Sequence, residues 1–156
     1  MPNVQDSEPG SSGMSGDVSI EEIRSWWKVP AIAHFCSLFG STYHLPDFEI
    51  EDLEEALFLD AGQETSPFLP NLLVALLKGC FPDSRKDIIV ANYHGHLREF
   101  MKKQWELVEG RVNPLNLEDA TFKGLPTLIK VEILHSLCDF RLDAADVSLL
   151  KVNEAG

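Results

Sequence analysis

Ser66-Pro67-Phe68-Leu69-Pro70-Asn71-Leu72-Leu73-Val74-Ala75-Leu76-Leu77-Lys78-Gly79 places leucine at 69, 72, 73, 76 and 77. Steps of three and four return to the same side of an α-helix, so the five leucines form one continuous apolar stripe. Ser66-Pro67 has the chemistry of a helix start, and Gly79 with Pro82-Asp83-Ser84 punctuates its end. A stripe this apolar needs cover from several directions, which puts the helix at the centre of a core.

Upstream, Ser19-x-x-Glu22 has capping-box spacing, with Ile20, Ile23 and Trp27 forming a helical stripe. Val29-Pro30 breaks and restarts the chain. Ile32, Phe35, Cys36 and Phe39 then build a short amphipathic helix ended by Gly40. After Leu45-Pro46, Asp47 is placed to cap a third helix with Ile50, Leu53 and Leu57 opposite Glu51, Asp52, Glu54 and Glu55. Downstream, Ile89, Tyr93, Leu97, Phe100, Met101, Trp105 and Val108 read as one face of the longest helix, closed by Gly110. A linker from Asn113-Pro114 to Gly124 leads to a helix bearing Val131, Leu134, Leu137 and Cys138, and Asp143 is placed to cap a last short helix with Val147 and Leu150. Alternating strand patterns are nearly absent. The fold class expected is all-α, a compact bundle of about six to seven helices behind a disordered tail over residues 1–16, where Gly, Ser, Pro and acids bury too little surface to order the chain.

The 156 residues are 44% apolar, enough for a proper core, and no uncharged apolar run is long enough to span a bilayer. Three widely spaced cysteines (Cys36, Cys80, Cys138) among apolar neighbours read as reduced core thiols, which points to the cytosol or nucleus. The net charge of −12 is uneven: residues 1–77 carry −11, residues 78–111 carry +2 and residues 112–156 carry −3. A chain this acidic lacks the cations that drive general affinity for phosphate backbones, so direct DNA binding is not expected.

His94-x-His96 resembles a metal pair, yet residues two apart on a helix face different ways, whereas helical zinc pairs stand four apart. No phosphate loop, nucleophile elbow or zincin motif occurs, so neither enzyme activity nor a cofactor, metal or small-molecule substrate is expected. Trp27 and Trp105 share apolar stripes and read as core, while Trp26 is more open and suits a partner contact. Arg98, Lys102 and Lys103 make the single local basic patch, the basis of an alternative reading as a linker-DNA-binding module.

Two blocks carry a longer likeness. Arg24-Ser25-Trp26-Trp27-Lys28-Val29-Pro30-Ala31-Ile32-Ala33-His34-Phe35-Cys36-Ser37-Leu38-Phe39, continuing through Leu45-Pro46-Asp47-Phe48-Glu49-Ile50, resembles the start of a DDT domain. Val131-Glu132-Ile133-Leu134-His135-Ser136-Leu137-Cys138-Asp139-Phe140-Arg141-Leu142-Asp143 resembles the first WHIM motif, which follows DDT domains in partners of ISWI-type ATPases. The resemblance spans residues 24–150 and implies a DDT-type domain over 17–112, then a truncated WHIM1-like segment over 113–156. It further implies a nuclear, non-catalytic accessory module of a chromatin-remodelling complex that docks the ISWI-family ATPase subunit and meets the nucleosome indirectly. Partner-binding candidates are Trp26, Glu51, Asp52, Glu54 and Glu55, with Lys130, Asp139 and Arg141 on the WHIM1-like segment. The given sequence ends at Gly156, before the later WHIM motifs, acetyl-lysine-reading bromodomain and AT-rich-DNA hook expected of a longer relative, which fits a fragment, a short splice form or a divergent short homologue alike; a short form that competes with the full subunit for the ATPase is another expectation.

Overall fold

The structure is a computed structural model that describes residues 18–62, 67–116 and 120–155, with side chains left aside at 82, 84, 85 and 143–155; the expected disordered tail lies outside the described residues. The all-α class holds, and no strand occurs among the described residues. Helix α4 (Phe68–Cys80) lies at the centre, its leucines 69, 72, 73, 76 and 77 all fully buried. Each such side chain contributes roughly 1.5–3 kcal/mol relative to exposure, so the leucine stripe alone anchors much of the fold.

Helix α1 (Ile20–Arg24) starts as its sequence dictates, with the Ser19 hydroxyl accepting from the Glu22 N–H at 3.0 Å. The break falls at residues 25–27, earlier than Val29-Pro30 implied. Helix α2 (Lys28–Tyr43) takes Pro30 into its first turn, where a missing N–H costs no helical bond. Trp27 therefore sits at the helix cap rather than on a stripe and is 66% exposed, a correction to its expected core place. Gly40 does not end α2. The helix runs on to Tyr43 and closes through His44 in the left-handed region (φ 58°), with Leu45 donating to the Gly40 carbonyl at 2.9 Å.

Helix α3 (Ile50–Ala61) is capped by Glu49, not Asp47: the Glu49 N–H donates to the Asp52 carboxylate at 2.9 Å. Acids in that first turn also suit the positive end of the helix dipole.

After a 3₁₀ turn (Pro82–Asp87), helix α5 (Tyr93–Met101) continues as a π-helix over Lys102–Val108. Tyr93, Leu97, Phe100, Met101 and Trp105 face inward as expected. Ile89 and Val108 do not: Ile89 precedes the helix and is 52% exposed while Ile88 is buried, and the wider π winding turns Val108 outward, 69% exposed. Gly110 adopts φ +67°, a backbone shape that glycine accepts without strain.

The following linker packs rather than floats. Asn113 accepts from the Leu115 N–H (2.9 Å) and donates to Glu106 (2.9 Å), and Leu115 and Phe122 are buried. Helix α6 (Thr127–Ala155) is a single helix that runs through Asp143, so no second cap forms there. The stretch 139–143 holds no glycine or proline to stop propagation once the helix is nucleated. α6 packs on α2, α3 and α4, and its Val131, Ile133, Leu134, Leu137 and Cys138 complete the core.

Candidate docking surface

The acidic residues of α3 divide between two roles. Glu51, Asp52 and Glu55 are exposed, as an interaction face requires. Glu54 is only 7% exposed, and its Oε1 takes the Arg24 Nε–H at 3.1 Å, fastening α1 to α3. It is a structural acid rather than part of the outward set. Beside the exposed acids lies a shallow groove of about 260 Å³ lined by Asp47, Phe48, Asp52, Glu55, Ala56, Leu59 and Phe68. The Phe48 and Phe68 rings meet edge to face at 4.8 Å and form its apolar floor. Three carboxylates around an aromatic floor suit a lysine or arginine, whose hydrocarbon stem lies on apolar surface while its cation meets the rim.

A second surface surrounds Trp27, whose ring stands edge-on to His135 of α6 at 5.1 Å, with the Lys28 ammonium 5.6 Å from its centroid. Trp26 is half-buried against the core. Asp139 is exposed and approaches His135 Nδ1 at 3.4 Å. Burial, aided by Lys28 and opposed by Asp139, holds the His135 imidazole below its ordinary value, so this contact is not an ion pair at neutral pH.

Lys130 and Arg141, expected at a partner surface, are taken up inside the fold. Lys130 is 0% exposed, with its Nζ 2.6 Å from Asp60 Oδ2 and 3.3 Å from the Asp60 carbonyl; Lys123 approaches the other carboxylate oxygen at 3.5 Å. Arg141, 6% exposed, donates to the Leu76 carbonyl at 3.2 Å and lies over the Tyr43 ring at 4.1 Å. α6 thus uses its cations to clamp itself to α3 and α4.

The three bases of the expected DNA patch are not gathered for one purpose. Arg98 turns toward the linker and donates to the Ala120 carbonyl at 2.9 Å, Lys103 pairs with Glu99 at 2.9 Å, and Lys102 is exposed. His94 stacks on Tyr93 at 4.2 Å and His96 meets Phe81 at 5.2 Å, on separate neighbours. Among the described residues no three metal-ligating side chains come together, and no helix is long and apolar enough to cross a membrane.

Two groupings had no sequence signal. Asp60, the hub for Lys123 and Lys130, reads in sequence as one more acid at the end of α3. Cys36 and Cys138, 102 positions apart, share a hydrogen bond across the α2–α6 seam; that bond and burial push the Cys138 thiol well above its ordinary value. Neither grouping follows from spacing, because each joins distant parts of the chain.

No protein-family profile matches the chain, and no solved structure matches it. The chain is 26% identical over 147 residues to a human protein described as uncharacterized bromodomain-containing protein 10. The alignment covers 76% of this chain but spans 7% of the length of that relative.

Proposed function

We propose that this chain is a non-catalytic docking module of a chromatin-remodelling assembly, and that it receives a basic helical segment of an ISWI-type ATPase in the groove beside α3. The observation that carries the reading is the groove itself, where Asp47, Asp52 and Glu55 ring the Phe48 and Phe68 floor. Two likenesses support it from outside the geometry: the DDT-like and WHIM-like runs of the sequence, and the distant human relative described as a bromodomain-containing protein, which hints at a chromatin-related role. Nuclear residence follows from the same reading. The aromatic floor supplies affinity, while the carboxylate rim supplies steering and orientation, since exposed charges act mainly on association rate and specificity.

The test is a pull-down of the C-terminal helical domains of an ISWI ATPase by the purified chain at near-physiological salt. Asp47→Lys with Glu55→Lys should weaken capture at least tenfold, and Phe68→Ala should do the same with less salt dependence. Capture that both variants leave unchanged would remove the groove from the interface. A salt-sensitive mobility shift of linker duplex DNA that is lost on Lys102→Glu would favour the nucleic-acid reading instead.

A further inference from the structure

Trp27, Ala31, His34 and Leu38 stand in one row along the outward side of α2. Val29, Ile32, Phe35 and Cys36 face the core, and at about 100° per residue the row opposite them falls within an arc of about 60°. Trp27 belongs to it although it caps the helix, because its carbonyl accepts the Ala31 N–H at 3.4 Å. The Trp27 ring is 66% exposed, Leu38 is 60% exposed, and His34 between them is exposed as well.

Although 24% of the chain is charged, no Asp, Glu, Lys or Arg stands between Val29 and Tyr43. The other exposed positions of α2, Pro30, Ser37, Ser41 and Thr42, are uncharged too. A surface helix ordinarily turns charged residues outward, whereas the centre of a protein interface is depleted of charge and enriched in aromatic rings. The Trp27 ring is also held in place, edge-on to His135 with the Lys28 ammonium over it. Little side-chain freedom is therefore left to lose on contact.

Charge and symmetry together say what covers this face. Each copy of the chain carries −12, and at physiological salt the repulsion between exposed charges fades over about 8 Å. Two copies meet most readily where no carboxylate enters the seam, and α2 supplies such a face. The row is also complementary to its own reverse: under a two-fold axis, an antiparallel copy sets Trp27 against Leu38 and the small Ala31 against His34, and the converse. A parallel pairing would set Lys28 against Lys28. Within one chain Lys28 sits in the first turn of α2, the wrong end for a cation, and the last turn holds no base. The antiparallel copy brings each Lys28 toward the negative half of the other helix.

We propose that α2 is the seam of a weak homodimer, a second copy of this chain packing antiparallel along Trp27, Ala31, His34 and Leu38. The 16 residues of α2 make a helix about 24 Å long, and one face of it buries less than the roughly 800 Å² per partner of a standard interface. The dimer accordingly forms at micromolar rather than nanomolar concentration. Its seam shares no residue with the α3 groove, so the dimer carries two such grooves and favours a partner that offers two basic segments.

The experiment is sedimentation equilibrium of the whole chain over three decades of concentration, up to millimolar, with NMR on the same dilution series. Apparent mass should rise from one chain toward two. Dilution should move the amides of Ala31, His34 and Leu38 and the Trp27 indole while leaving Phe48 and Glu55 in place. Added salt should strengthen association, because it screens the repulsion between acidic copies. Leu38→Glu and Trp27→Ala should each weaken association at least tenfold, and Ser37→Arg should do so by putting a charge in the seam. All three positions are exposed in the single chain, so the melting midpoint of dilute samples should stay as it was. Glu55→Lys should leave association unchanged. A folded chain that stays monomeric to millimolar concentration would overturn the proposal and assign the face to a foreign helix. Association that weakens with salt, that is lost on Glu55→Lys, or that survives both Leu38→Glu and Ser37→Arg would overturn it as well, by placing the contact elsewhere. None of these results bears on capture of an ATPase segment by the α3 groove.

Discussion

Replacing Asp60 with alanine is the sharpest probe of how α6 is held. The Lys130 ammonium is fully buried and relies on Asp60 Oδ2 at 2.6 Å, with the Asp60 carbonyl at 3.3 Å as its other acceptor. Removing the carboxylate leaves a buried cation with one backbone acceptor, which costs about 3–5 kcal/mol. Against a typical total stability of about 5–15 kcal/mol, that is about a fifth or more of what holds the chain folded. At about 3 °C per kcal/mol for a chain of this size, the midpoint should fall by about 10–15 °C. Lys130→Met should cost less, about 1–3 kcal/mol, because Asp60 keeps Lys123 on its more exposed side. The double variant Asp60→Ala with Lys130→Met should be markedly more stable than the sum of the singles implies, since it leaves neither charge stranded. Urea and thermal unfolding followed by circular dichroism measure all three. Strict additivity within about 0.5 kcal/mol, or a loss under about 1 kcal/mol for Asp60→Ala, would refute the view that this pair is a buried, mutually dependent unit.

Acidification should destabilise the fold: burial lowers the imidazole values of both His94 and His135, so the stability they contribute is present above about pH 6.5 and is lost as pH falls through their depressed folded values. Substituting His94→Gln and His135→Gln together should flatten the stability profile between pH 7 and pH 5. At the alkaline end, burial and then Asp60 push Tyr93 up to about 12, so the protonated phenol stabilises the fold below about pH 10 and that contribution drains away as pH rises to about 12; ultraviolet titration of tyrosinate should show one late-titrating group. Cys80, pushed up to about 12 by burial, and Cys138, raised well above its ordinary value, should resist iodoacetamide at pH 8 in the native chain and react fully in urea, read by intact mass. Trp105→Phe removes the indole N–H bond to Ser136 (3.1 Å) and part of the surface on which Arg111 stacks (3.8 Å), and should lower stability by about 1–2 kcal/mol in urea melts.

Much of the helical order was legible because it rests on local periodicity. The leucines of α4, the Ser19 cap and the inward face from Tyr93 to Trp105 follow from spacing and capping chemistry alone. The misplaced residues share a cause: winding and end points respond to packing as well as to neighbours in sequence. Trp27 left its stripe when α2 absorbed Pro30, Val108 left its face when the winding changed, and α6 ran through Asp143 because nothing there stops a helix. The candidate surface was half legible. Exposed acids on α3 followed from the pattern, but the inward turn of Glu54 depends on Arg24, 30 positions earlier, and the burial of Lys130 depends on Asp60, 70 positions earlier. The seat of Arg141, held by the Leu76 carbonyl of α4 and the Tyr43 ring of α2, offered no local signature at all.

The π-helical turn at Lys102–Val108, marked by the Glu109 N–H reaching back to the Gln104 carbonyl at 3.0 Å, behaves as an α-helix that has swallowed one surplus residue without breaking. Deleting a single position there would restore ordinary winding and swing Leu107 and Val108 by roughly 100° around the axis, the angle one helical residue subtends. A homologue one residue shorter at this point can therefore keep the whole bundle and still display a different edge. A gap in an alignment here would record a rotated surface, not a lost piece of structure.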